Sequence, residues 1–149
     1  MVEPSKELQL VFDKSIKDAQ KLQHEYVTLE HLLYGMFCEE NFINIMTMYG
    51  ANVDYIKSNL EHHLKTQCDD IKIDEKKFKP KKTATVERVL NRAFTQTLFA
   101  GRTHIELTDV LLSILAEKKS ISSDYLEKGD VEKIKFADFI NNDLDEPED

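Results

Sequence analysis

The sequence predicts an all-α fold, a pseudo-twofold tandem repeat of two four-helix units packed as one domain. Three observations carry this expectation. Apolar residues recur at helical spacing through most of the 149 residues, glycine and proline are scarce at four and three, and the apolar pattern of the first half returns in the second at a constant offset.

The elements follow in order. After Pro4 and Ser5, apolar side chains fall at Leu8, Val11, Phe12, Ile16, Ala19 and Leu22, the i, i+3, i+4 rhythm of one helical face. Thr28 is placed to cap a second helix bearing Leu32, Leu33, Met36 and Phe37, its oxygen accepting from free first-turn N–H groups. A shorter helix is expected from Asn41 to Met48; Gly50 supplies a stop, and Asn52 caps a fourth helix carrying Val53, Ile56, Leu60 and Leu64. From Gln67 to Lys82 the chain is charged, aperiodic and contains Pro80, and reads as a connection. A new helix starts at Thr83 or Thr85, shows Val86, Val89, Leu90, Ala93, Phe94 and Leu98 on one face, and ends at Gly101. Helices are then expected at Leu107 to Ala116, Ser120 to Lys128, and Val131 to about Asn141.

An offset of 78 residues aligns Leu8 with Val86, Phe12 with Leu90, Ile16 with Phe94, Leu33 with Leu111 and Phe37 with Leu115. The same offset carries Ile43 onto Ile121, Asn52 onto Asp130 and Ile56 onto Ile134, so Asp130 is expected to cap the last helix as Asn52 caps the fourth. Each unit is too small to bury its apolar faces alone, so the halves are expected to pack against each other. The domain is read as residues 1–141: repeat one at 5–66, a connecting segment at 67–82, repeat two at 83–141. Residues 142–149 form an acidic tail or linker.

Composition removes whole classes of function. A formal charge of -8 argues against nucleic-acid binding, which rests on neutralising phosphates with Lys and Arg. No stretch approaches the length of a membrane span and the amino terminus has no apolar leader, so a cytoplasmic protein is expected. Cys38 and Cys68 stand apart, without zinc-site spacing, and read as reduced thiols. His62 and His63 are adjacent and point about 100° apart on a helix, which strains a joint chelate. A competing reading places His24 with His62 or His63 around a zinc ion, but that pair lacks a third ligand, so no metal or cofactor is assigned. His31 reads as a packing residue at a helix start. The basic run Lys76 to Lys82 reads as a solvated linker offset by Asp69, Asp70, Asp74 and Glu75. No GxSxG or Cys–His arrangement points to nucleophilic catalysis, and no GxxxxGK[ST] points to an ATPase.

The stretch HEYVTLEHLLYGMF, with ELQLVFDKSIKDAQKLQHEYVTLEHLL in the first repeat and VERVLNRAFTQTLFAGRTHIELTDVLLSIL in the second, resembles the Clp N-terminal domain, most closely that of the ClpA branch. The resemblance spans essentially the whole chain. It implies a non-catalytic module that sits on a tether above an ATPase ring and passes adaptors or substrates to it, with a ClpS-like adaptor as the partner and a monomeric state in isolation. It also implies that Glu25, Glu30, Thr83 and Arg88 form the partner-binding surface; two carboxylates, a hydroxyl and a guanidinium would supply oriented, charge-assisted hydrogen bonds. A related branch, resembling ClpC, reads phosphoarginine with one Glu per repeat. Here Glu30 fills the first position, but Thr108 stands at the second, so that activity is not expected. The alternative function is a free-standing copy that sequesters the adaptor or regulates a host Clp protease.

Overall fold

Helix formation follows the caps. The computed structural model describes residues 1–144. Helix α1 (Lys6–Lys21) begins where the Ser5 hydroxyl accepts the N–H of Leu8 at 3.1 Å, and buries Leu8, Val11, Ser15 and Ala19. Helix α2 (Leu29–Met36) starts at Thr28 in a reciprocal capping box: the Thr28 side chain faces the first-turn N–H of His31, as expected, and the Thr28 N–H donates back to Nδ1 of His31 at 2.9 Å. Helix α3 (Glu40–Tyr49) is capped by the Glu39 carboxylate and closed by Gly50 at φ 104°; α4 (Val53–Thr66) is capped by Asn52. Helix α5 (Ala84–Phe99) starts at Thr83, whose hydroxyl accepts the N–H of Val86; α6 (Leu107–Leu115), α7 (Ile121–Lys128) and α8 (Lys133–Phe139) complete eight α-helices among the described residues.

Two short parallel ribbons tie the halves together. Glu3–Pro4 (β1) lies beside His104–Ile105 (β4), and Tyr26–Val27 (β2) lies beside Lys81–Lys82 (β3). The pair Glu3 and His104 maps onto Lys81 and Tyr26 when 78 is added to the first and subtracted from the second. Each repeat therefore lends its leading strand to the other, a reciprocal exchange that is the signature of a twofold. The residues ending α1 and α5 agree: Gln23 and Gly101, again 78 apart, both take left-handed conformations at φ 59° and 73°. Gly101 adopts this freely, whereas Gln23 is held by backbone bonds to Gln20 and Ile73.

One core serves both repeats. Leu32, Leu33 and Met36 of α2 are fully buried with Val86, Val89, Leu111 and Ile114 of the second half, and α2 packs on α1, α4, α5, α6 and α7. At the α1–α2 crossing, a Cβ on Gly35 would stand 3.1 Å from Cγ1 of Val11, and Ser15 bonds the Val11 carbonyl. At the α5–α6 crossing the small groups trade helices: Ala93 lies on α5, and Ser113 of α6 donates to the carbonyl of Val89 at 2.7 Å.

The 78-residue offset fails after α6. Ile134 and Ile121 are 69% and 46% exposed, and Asp130 is no cap; it turns left-handed at φ 68° beyond the end of α7. The last helix is capped by Glu132, whose carboxylate accepts the N–H of Lys135. An offset of 80 restores the match: Phe42 pairs with Ser122, Met46 with Leu126 and Ile56 with Phe136, all six being buried, and the cap Asn52 pairs with the cap Glu132. Two residues are accommodated in the turn around Lys119, which has φ 58°.

The connecting segment is more ordered than its composition suggests. A 3-10 turn at Asp69–Ile71 leads into backbone bonds from Glu25 to the Ile71 carbonyl and from Ile73 to the Gln23 carbonyl, so the segment runs along the α1–α2 loop before joining β3. Helical structure also persists past Asn141 in a π-type turn, Ile140–Leu144, where Phe139 and Ile140 still pack on the core. Residues 145–149 of the expected acidic tail lie outside the described residues.

Candidate functional site

Of the four anticipated partner-binding residues, three converge. Glu30, Thr83 and Arg88 line one cleft of about 350 Å³ between the start of α2, the start of α5 and the α6–α7 turn. Thr83 stands there because β3 delivers it to the cap of α5; its oxygen accepts from Val86, leaving the hydroxyl proton to donate outward. Glu25 stands apart from the cleft. It lies at the leading end of the β2–β3 ribbon, its carbonyl accepting the N–H of Lys81, while Thr83 leaves the trailing end with its N–H on the Val27 carbonyl. Extended chain rises about 3.3 Å per residue, so the ribbon separates Glu25 from the cleft edge by roughly 10 Å.

Glu30 is not the freely solvated acid of an ordinary helix start. Its side chain is 13% exposed and spans the two repeats: Oε2 accepts from the Ser122 hydroxyl at 2.7 Å, and Oε1 lies 3.8 Å from Nε2 of His63. Burial of a carboxylate is tolerable when a donor such as the Ser122 hydroxyl replaces water.

Arg88 is organised by a residue that the sequence did not single out. Glu117, at the end of α6, receives Nη2 of Arg88 at 2.5 Å and Nε at 3.2 Å, and also binds Nη2 of Arg92. The Arg88 hydrogen bond, reinforced by Arg92 and opposed by burial, holds the Glu117 carboxyl down to about 2. Arg92 in turn donates to Ser113 Oγ at 3.0 Å, tying the pair to the α5–α6 crossing. The repeat offset offered a signal for Glu117, since its counterpart is Glu39, the cap of α3. Lys118 and Lys119 complete a basic rim. The cleft thus presents an exposed guanidinium fixed in orientation, a hydroxyl donor and a partly shielded carboxylate, a set suited to oriented hydrogen bonding with a protein surface.

Behind it lies a histidine pair. The Thr28 N–H donates to His31 Nδ1, so the His31 proton is on Nε2, which donates to Nδ1 of His24 at 2.8 Å. That leaves the His24 proton on Nε2, which is buried without a partner. Burial first, and His24 and His63 next, hold His31 down to about 3; burial also lowers His24. His62 is exposed, and no group of three or more His, Cys, Asp or Glu among the described residues is arranged to hold a metal ion. Cys38 and Cys68 are free thiols, the second pushed up to about 11 by burial and then by Glu30. No helix among the described residues is long and apolar enough to cross a membrane.

Comparison with known proteins matches residues 3–129 to the family described as the Clp repeat (R) N-terminal domain. A ClpA homolog protein of Fuscovulum blasticum is 26% identical over 122 residues, covering 82% of this chain but 15% of that protein's length. Among solved structures, the Hsp104 N-terminal domain of Candida albicans superposes with a TM-score of 0.77 at 10% identity, covering 94% of this chain and 92% of that one. A ClpV N-domain in complex with a VipB peptide superposes with a TM-score of 0.70 at 15% identity, covering 93% and 85%. At these identities the structural matches establish a shared fold.

Proposed function

The chain belongs to the Clp repeat N-terminal domain family, and from that membership we propose that it is the adaptor- and substrate-docking module of a ClpA-like ATP-dependent unfoldase. It acts in the cytoplasm, binds a ClpS-like adaptor and performs no chemistry itself. The observation that carries this reading is the convergence of Glu30, Thr83 and Arg88 on one cleft, with Arg88 held by Glu117. A solved ClpV N-domain bound to a VipB peptide supports the use of this fold for holding protein segments.

Mechanistically, docking needs only complementarity and a defined orientation. An adaptor carboxylate would displace water from Arg88, a carbonyl would accept from Thr83, and a backbone or side-chain donor would reach Glu30. Glu25, roughly 10 Å along the ribbon, would act at the rim.

The test is calorimetric titration with a ClpS-like adaptor from a matched cell, beside the Glu25→Lys/Arg88→Glu double variant. Binding at about micromolar affinity or tighter, lost in the variant, is the expected result. Binding that survives the variant discards the site, and no binding discards the adaptor.

A further inference from the structure

The twofold creates a second cleft, and its chemistry differs. Glu106, Leu107 and Thr108 line it where Thr28, Leu29 and Glu30 line the first; Glu7 replaces Thr85, and Glu39 replaces Glu117. It is the larger of the two, at about 810 Å³ against 350 Å³. Its floor is apolar, made by Phe42 and Ile45 of α3, Leu107 and Leu112 of α6, and Ile140.

The rim is predominantly acidic. Four carboxylates line the cleft, Glu7, Glu39, Glu106 and Asp109. Asp109 is matched by Arg102, which donates to it at 2.9 and 2.6 Å, and Glu39 is occupied by the N–H groups of Asn41 and Phe42. Glu7 and Glu106 form no ion pair among the described residues. The first cleft instead holds Arg88, Lys118 and Lys119 beside the carboxylates of Glu30 and Glu117. One scaffold therefore presents a recess of mixed charge and a predominantly acidic one.

We propose that this second cleft docks a protein segment that places an arginine or lysine between Glu7 and Glu106 and an adjacent apolar side chain on the floor of Phe42, Ile45 and Leu112. An apolar recess with a few polar groups at its edge is the ordinary form of a recognition pocket, and the sign of its rim selects the occupant. Burial, followed by the neighbouring carboxylates of Glu7 and Asp109, pushes the Glu106 carboxyl up, so a cation arriving there relieves a crowding already present. The site is separate from the adaptor cleft and does not depend on Arg88.

The experiment is fluorescence anisotropy with a labelled peptide of alternating leucine and arginine, beside one of alternating leucine and glutamate, titrated with the whole chain. The arginine peptide should bind saturably and the glutamate peptide should not. Glu7→Lys/Glu106→Gln should weaken the arginine peptide about tenfold or more, while the charge-matched Asp74→Lys/Glu75→Gln, in the exposed connecting segment, should leave it within about twofold. Thr108→Arg, which lends the cleft its own guanidinium, should block the peptide. Arg88→Glu should spare peptide binding while removing the adaptor, which separates this site from the proposed docking function. Failure of the arginine peptide to bind, equal binding of both peptides, or equal weakening by the charge-matched control would overturn the proposal.

Discussion

His24 and His31 occupy the positions that one repeat later hold Arg102 and Asp109. In the first repeat Nδ1 of His24 lies 2.8 Å from Nε2 of His31; in the second, two guanidinium N–H groups meet the Asp109 carboxylate at 2.9 and 2.6 Å. His31 and Asp109 also perform the same cap, accepting the N–H of Thr28 and of Glu106. The ion pair keeps Arg102 half-exposed to water over a nearly buried Asp109, whereas both histidines are fully buried, and a buried pair is cheaper to keep when neither member is charged.

This neutrality makes the fold acid-sensitive. His31 titrates at about 3 when folded against its ordinary 6.5, so between these values the unfolded chain binds the extra proton. The stabilisation is complete above pH 6.5 and is lost progressively as pH falls toward 3. The thermal midpoint should therefore drop from pH 7 to pH 5, with a limiting slope of about 1.4 kcal/mol per pH unit for each proton taken up. His31→Gln, which keeps an acceptor for the Thr28 N–H, should flatten that dependence; an unchanged slope would assign the acid sensitivity elsewhere.

Glu30 and Ser122 join helices that are 92 residues apart in sequence. Ser122→Ala leaves one oxygen of a shielded carboxylate without its donor and should cost about 1–3 kcal/mol in urea unfolding. Adding Glu30→Gln should recover part of that loss, since a neutral amide is less costly to leave half-satisfied. Additive losses would show that the two side chains do not interact.

Arg88 and Glu117 separate binding from folding. The Glu117 carboxyl, held at about 2 against its ordinary 4.5, contributes stability that is present above pH 4.5 and disappears as pH falls toward 2. Because Arg92 also holds Glu117, Arg88→Ala should leave the thermal midpoint nearly unchanged at pH 7 while reducing adaptor affinity. A large fall in the midpoint would make Arg88 a structural residue instead.

Gly129 is required by packing between the repeats. Its N–H closes α7 and its carbonyl accepts the N–H of Asn52, and a Cβ there would collide with Cγ1 and Cδ1 of the fully buried Ile56. Gly129→Ala should destabilise by about 1–3 kcal/mol. In an Ile56→Ala background the added cost should shrink, and a cost that stays the same would place the strain in the backbone.

The sequence by itself determined the helices and the doubling. Caps at Ser5, Asn52 and Thr83, stops at Gly50 and Gly101, and apolar faces at helical spacing are local signals, because each rests on groups within a turn or two of chain. The 78-residue offset was legible for the same reason, and it broke where a local count could not see the two residues taken up around Lys119. Three of the four candidate residues line one cleft, yet nothing in the pattern revealed that Glu117 orients Arg88, that Ser122 reaches Glu30, or that Glu25 stands off along the ribbon. Tertiary structure alone decided the exchanged strands, the neutral histidine pair and the two clefts of different charge. These depend on which distant side chains the twofold brings face to face, and on how much water each is left, quantities set by packing rather than by spacing along the chain.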